Sequence, residues 1–242
     1  MRRALLSACL VFVAACSSTA IPFTPAAFER PGDVTFVCFD TNQTPNLPVA
    51  LSACNKDDTG VVPAGFVLHG LVLQTARGEI ATVDLVANRL LDSDTSVPGY
   101  TFLEAGDLPT ALVAPTSAAS DGAELQVYVA NAGSRDIWSI PARRFRAPEY
   151  GVDPWSSLVT LEGSPTALVF SPDEHFLFAA VPSRGSIYQI EVMSDGLLGE
   201  ATEITLGTTI PTAPSGSRED PYARECTSGT VLPAGERPVR EP

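Results

Sequence analysis

Two landmarks recur along this chain, and their spacing limits what it can fold into more than any other feature. Pro-Thr-Ala stands at 109–111, 165–167 and 211–213, at intervals of 56 and 46 residues. A second phrase holds an isoleucine at Ile80, Ile137 and Ile187, at intervals of 57 and 50. Nine residues before each isoleucine lies Leu71, Tyr128 or Phe178; seven before lies Leu73, Ala130 or Ala180; three after lies Val83, Ile140 or Ile190. These apolar positions keep step while the segments between them vary in length. The best-preserved copy runs from Val127 to Ile140. It has a β-branched and aromatic arm, a polar turn around Gly133, Ser134 and Arg135, and a second arm that alternates through Ile137, Trp138, Ser139 and Ile140. A period near 50 residues made of strands and turns predicts small antiparallel sheets that bury their faces only by stacking on neighbours.

The rest of the chain fits around these units. Val34 to Phe39 reads as a strand, and 40–60 as a loop bounded by Cys38 and Cys54. Hairpins are predicted over 66–85, 127–140 and 176–192. Excursions rich in turn-forming residues lie at 86–101 and 143–155, and Ser171-Pro172-Asp173-Glu174 makes a turn before the third hairpin. A fourth unit begins at Ile204, and its Pro211-Thr212-Ala213 arrives on schedule, but no matching hairpin follows. A closed ring generally needs 4 to 8 blades. The expectation is therefore an open arc or a fragment of a larger ring, with the first and last hairpin sheets apart. Val34 to Phe39 is placed as a strand that completes the last blade from the N-terminal side. Tyr128 and Ile137 are expected in the core and Arg135 in an exposed turn.

Tyr128-Val129-Ala130-Asn131, with Gly133, Ser134 and Ile137, resembles the YVTN-type β-propeller repeat. Ala167-Leu168-Val169-Phe170-Ser171-Pro172-Asp173, followed by Phe176-Leu177-Phe178, resembles the strand–turn–strand that precedes that motif in the same family. Ala130 stands where the family has Thr, the third copy has Ala180-Val181 in place of the motif's last two residues, and the first copy keeps only the apolar pattern. The resemblance covers 63–213. It implies an all-β fold, a partial β-propeller of about three to four blades of antiparallel sheet. Some propellers with this repeat resemble lactonases, so a lactonase-like hydrolase is one implied activity. Propellers host many activities, and the fold does not select among them.

The N-terminus gives an address. Arg2 and Arg3 precede an apolar run from Ala4 to Val13, too short to span a bilayer as a stable helix. The run ends in Val13-Ala14-Ala15-Cys16, which resembles a bacterial lipobox, so Cys16 is expected to be acylated and to become the first residue of the mature protein. Ser17 and Ser18 follow, with no Asp to retain the protein at an inner membrane, so the outer membrane of a Gram-negative host is expected. The organisation predicted is a signal peptide at 1–15, a tether at 16–33, propeller blades at 34–213 and an irregular segment at 214–242. In the oxidising compartment this implies, Cys38 and Cys54 form the most local pairing. Their bridge would stabilise the fold by about 3 kcal/mol through loop closure. Cys226 is left without an evident mate.

Composition narrows the function without naming it. The formal charge is −13, and −15 once Arg2 and Arg3 leave with the signal. Such a chain repels nucleic acid, so no nucleic-acid partner is expected. His69 and His175 are the only histidines; no Cys-x-x-Cys or Cys/His ligand spacing and no Gly-x-Ser-x-Gly occurs, so no metal, cofactor or catalytic residue is expected. His69 is read as a hydrogen-bonded blade residue; His175, Asp136, Asp173 and Glu174 as solvated turn residues; and Trp138 and Trp155 as packing. Arg143, Arg144 and Arg146 form the only basic cluster and are the candidate contact for an anionic partner, such as a glycan or a lipid head group. The reading is a lipoprotein held to the membrane by its N-terminal acyl anchor, whose propeller binds or scaffolds a protein or glycan. The alternatives are the lactonase-like enzyme and an incomplete propeller with no activity alone.

Overall fold

The computed structural model describes residues 28, 30–43, 46–56, 60–94, 96, 99–117, 124–146 and 152–207. Cys16, Cys226, most of the expected tether and the third Pro-Thr-Ala lie outside them. The described chain is all β apart from short 3-10 turns, and its strands form three antiparallel sheets. In the second sheet, β7 (Pro109–Val113), β8 (Gln126–Asn131), β9 (Asp136–Pro141) and β10 (Ser157–Thr160) lie side by side in sequence order. The third repeats this with β11 (Ala167–Phe170), β12 (Phe176–Val181), β13 (Ser186–Val192) and β14 (Leu198–Thr205).

The first sheet has the same plan with additions. Its strands are β1 (Pro31–Asp40), β3 (Phe66–Gln74) and β4 (Glu79–Asp84) in order, with the short β2 (Leu47–Val49) on the free edge of β1. Its outer strand is split: β5 (Arg89–Leu91) pairs with Thr82–Asp84 of β4, and β6 (Leu103–Glu104) pairs with Glu79–Ile80. Val34 to Phe39 thus belongs to the first blade, where Val34 faces Val72 and Phe39 faces Val67. This corrects its placement on the last blade. A strand pairs with the edge it can reach, and a loop of some 25 residues brings Phe66–Gln74 back beside it. The strand opens at Pro31, inside the segment expected to be tether. Cys38 and Cys54 are joined in a disulfide that ties the 3-10 turn Leu51–Cys54 to β1.

The core consists of two interfaces, one on each face of the second sheet. Val127 and Val129 of β8, with Trp138 and Ile140 of β9, pack with Phe39, Leu71, Leu73 and Ile80 of the first sheet. Tyr128, Ala130 and Ile137 point the other way and pack with Leu168, Leu177, Ala179, Tyr188 and Ile190 of the third. Alternate side chains on a strand leave opposite faces, so a strand sandwiched between two sheets must be apolar at nearly every position. Every residue of β8 and β9 is buried accordingly. Among the described residues the first and third sheets share neither interface, which makes this a three-bladed arc of propeller type.

Each blade closes with the same hydrogen bond. Ala105 N–H donates to the Gly78 carbonyl (2.8 Å), Leu161 N–H to that of Arg135 (2.7 Å) and Leu206 N–H to that of Gly185 (2.9 Å). The acceptors sit in the turn between the second and third blade strands, at φ of +67°, +58° and +62°. Glycine adopts that conformation without steric cost, and Arg135 does so at some cost. Truncation of Ile137 to Ala should destabilise the protein by about 2–5 kcal/mol in urea titrations. Arg135→Ala, in the exposed turn, should lie within about 0.5 kcal/mol of the parent.

Candidate binding cleft

At the end of the sheets where β7 and β11 finish, the second and third blades part to leave a cleft of about 380 Å³. Tyr128 and Phe170 form part of its wall, packed edge-on with ring centroids 5.4 Å apart and planes at 81°. Leu125, Val192 and Met193 extend the apolar lining, and Glu124, Asp173, Glu174, His175 and Glu191 supply polar groups.

Local hydrogen bonds set the turn that carries three of these groups. Phe176 N–H donates to the Ser171 hydroxyl oxygen (3.0 Å), and the Ser171 hydroxyl donates to Asp173 Oδ1 (2.5 Å). The bond from Ser171, with one from the His175 N–H, holds the Asp173 carboxyl below its ordinary pKa. His175 Nδ1 lies 3.4 Å from Asp173 Oδ2 on the surface. Glu174 takes a positive φ of 59° and turns toward the second blade. Its Oε1 accepts from Thr116 N–H and from the Thr116 hydroxyl, each at 2.7 Å, and its Oε2 accepts from Ser117 N–H (3.3 Å) and the Ser117 hydroxyl. Burial pushes this carboxyl's pKa up, but the bonds from Ser117 and Thr116 outweigh burial and hold it low. The Thr116 carbonyl in turn accepts from Leu51 N–H (3.0 Å), so one short segment links the disulfide-bonded turn of the first blade to the third. Glu174 is therefore a clamp between blades. Its turn geometry is local, but its partners lie 57 and 58 residues away and leave no mark near it in the sequence.

A second tie closes the floor. The Tyr128 hydroxyl donates to the Gly196 carbonyl (2.7 Å), and the Ser139 hydroxyl lies 3.2 Å from the same oxygen. Burial raises the Tyr128 pKa further, so the phenol stays a donor. Gly196 has φ +78°, and a Cβ there would stand 2.6 Å from Gln126 Cγ, so close approach of the turn to the second blade suits glycine alone.

The three arginines arrive on the turn Ala142–Phe145 and the residue after it, and they separate. Arg143 is half exposed, its Nε 3.0 Å from Oε1 of Glu124, which lines the cleft. Arg144 is buried and donates to the Asp153 carbonyl. The Arg146 guanidinium lies over the Phe39 ring, 5.7 Å from its centroid, where burial lowers its pKa. Beneath it is His69, fully buried, its ring 4.9 Å from that of Phe39. Neither ring nitrogen of His69 has a hydrogen-bond partner among the described residues, which corrects its reading as a hydrogen-bonded blade residue. Its register partner Asp84 spends one carboxylate oxygen on Val86 N–H (3.0 Å) and Ala87 N–H (2.9 Å). Trp138 and Trp155 pack at 6.4 Å in the first interface. Among the described residues no group of three or more His, Cys, Asp or Glu side chains could hold a metal ion, and no helix is long and apolar enough to cross a membrane.

No protein-family model matches this chain, and no curated protein matches it. Solved structures of similar shape include Kuenenia stuttgartiensis hydrazine synthase, at 12% identity and a TM-score of 0.43, covering 74% of this chain and 37% of that one. The β-propeller domain of Cps50 (Swd1) from Myceliophteria thermophila matches at 15% identity and a TM-score of 0.35, over 55% of this chain and 39% of that one. A Bacteroides uniformis protein provisionally assigned as a 6-phosphogluconolactonase matches at 18% identity and a TM-score of 0.42, over 76% of this chain and 60% of that one. The chain thus spans less than two thirds of the length of each. The propeller-type architecture rests on the strand order and the two interfaces above.

Burial first, and then the nearby Arg146 charge, lower the His69 pKa to about 4 against the opposing pull of Asp84. The unfolded chain takes up this proton near pH 6.5 and the folded chain only near pH 4. The neutral ring's contribution is present above pH 6.5 and lost as pH falls through that window, a loss on the order of 3 kcal/mol. Urea midpoints measured from pH 7 to pH 4.5 should fall in the parent, and His69→Leu should flatten that slope.

Proposed function

We propose that this protein is an exported, lipid-anchored binding module that presents the cleft between its second and third blades to a ligand. The observation that carries the reading is the make-up of the cleft. Its volume is within the range of small-ligand sites, about 300–1,000 Å³. An apolar wall of Tyr128, Phe170 and Met193 stands against hydrogen-bonding groups of both kinds, with His175 as a donor and Asp173 and Glu191 as acceptors. This suits a ligand with an apolar body and a polar fringe, such as a short glycan or a peptide segment. Glu174 has its carboxylate committed to Thr116 and Ser117, so its part is to hold the wall in place. The membrane anchor rests on the sequence around Cys16. Acyl chains supply about 0.8 kcal/mol of membrane affinity per buried methylene.

Two measurements test this. Labelled palmitate should enter the protein in cells, and Cys16→Ala should abolish its incorporation; label that survives the substitution would remove the anchor. For the cleft, the purified Cys16→Ala protein should be titrated against a panel of neutral and charged oligosaccharides and peptides. At least one member should bind saturably and lose about tenfold in affinity on His175→Ala or Met193→Ala, equivalent to roughly 1.4 kcal/mol. Both side chains are well exposed, so the fold should survive. Binding unchanged by both substitutions, or hydrolysis of a lactone that a chelator stops, would overturn the reading.

A further inference from the structure

The outward face of the third sheet repeats the surface by which the second sheet receives the third. On the second sheet that surface includes Ala111 of β7 and Ala130 of β8, with Val113 packed against them. The same places on the third are Ala167, Val169 and Ala180, and here Val169 is 60% exposed. Ile204, across the sheet from Ala167, Ala180 and Ile187, is 42% exposed. An apolar row of this kind is covered in every other blade-to-blade contact of the molecule.

The chain itself indicates what covers it. After Ala105 and Leu161 donate to their turn carbonyls, the chain crosses to the inner edge of the next sheet and starts the inner strand within six residues, through Pro109-Thr110-Ala111 and Pro165-Thr166-Ala167. The two Pro-Thr-Ala phrases meet between blades. The Thr110 hydroxyl lies 2.9 Å from the Pro165 carbonyl and 3.2 Å from that of Ala130. Leu206 makes the third copy of the crossing bond, and Pro211-Thr212-Ala213 follows five residues later. Leu161, its counterpart, is 3% exposed; Leu206 is 51% exposed. Thr166, the counterpart of Thr110 in the phrase, has its N–H on the Ala180 carbonyl (3.0 Å).

We propose that residues 208–213 of this same chain, outside the described part of the structure, cross the third sheet as 162–166 cross the second and dock on its outward face. In that position the Thr166 hydroxyl donates to the Pro211 carbonyl, Ala213 seats against Ala167 and Val169, and Leu206 is buried beneath the crossing. Pro214 follows where Leu112 and Leu168 stand in the other blades, and a proline there removes the N–H that a further strand would bond.

The test places the photo-crosslinker p-benzoylphenylalanine at Val169 and, in a second protein, at Ile204, in the full exported chain at micromolar concentration. Illumination followed by peptide mapping should give adducts within one chain, from either probe to residues 208–213. A tethered segment has an effective concentration on the order of millimolar, so same-chain adducts should exceed cross-chain ones by about a thousandfold. Adducts at twice the chain's mass would give the face to a second copy, and adducts to another protein would give it to a foreign partner; either overturns the proposal. Absence of adducts at 208–213 from both probes overturns it as well. As an independent readout, Thr166→Val should raise amide exchange at Thr212 and Ala213 in the full chain, and unchanged exchange there counts against the docking.

Discussion

Everything in this molecule depends on burying the second sheet from both sides. A four-stranded sheet alone cannot bury an apolar face, and three such sheets do so only by stacking. The middle one must then be apolar above and below, which is why β8 and β9 hold no exposed residue and why most of their few polar groups are bonded locally, Asn131 Oδ1 and Trp138 Nε1 being buried without a partner among the described residues. Asn131 donates to Asp136 (2.9 Å), and the Ser139 hydroxyl lies 3.1 Å from Gln126 Oε1. Buried polar groups of this kind are tolerated where each finds a partner. The two outer sheets each have one face covered by the second.

Stacking alone would let the blades slide, and the structure opposes this with polar ties at both ends. At one end the Thr110 hydroxyl of the second blade donates to the Pro165 carbonyl at the start of the third (2.9 Å). At the other, Glu174 spans from the third blade to Thr116 and Ser117, and Thr116 is bonded to Leu51 beside the disulfide. The cleft lies between these ties and the tie at Gly196. These bonds join the sheets on either side of the cleft, which supports the proposal of a preformed binding site there.

Propensity and period made the strands legible. The Val127–Ile140 hairpin, the turn at Arg135, the turn at Ser171–Glu174, the core places of Tyr128 and Ile137 and the division into three hairpin units all follow from alternation, turn chemistry and spacing. The pairing of Cys38 with Cys54 followed from their nearness in sequence. Each of these depends on interactions within a few tens of residues, where the chain constrains its own geometry.

What the tertiary structure alone decided depends on segments that meet from afar. Val34–Phe39 is a strand by composition, but only the fold chooses the first blade as its partner, because one edge offers the same kind of surface as another until the chain path is set. Asp173 and Glu174 stand side by side in one turn, yet one faces water and the other clamps a distant loop, since a positive φ at Glu174 aims its side chain across the gap. Arg143, Arg144 and Arg146 look like one basic cluster in the sequence, and a single short turn sends them to an ion pair, a backbone carbonyl and an aromatic face. His69 follows the apolar alternation of β3 as a leucine would, and that alternation is silent about whether its nitrogens find partners. Local sequence determines which backbone shape a residue favours; the neighbours that a side chain meets across a fold are decided only when distant strands have docked.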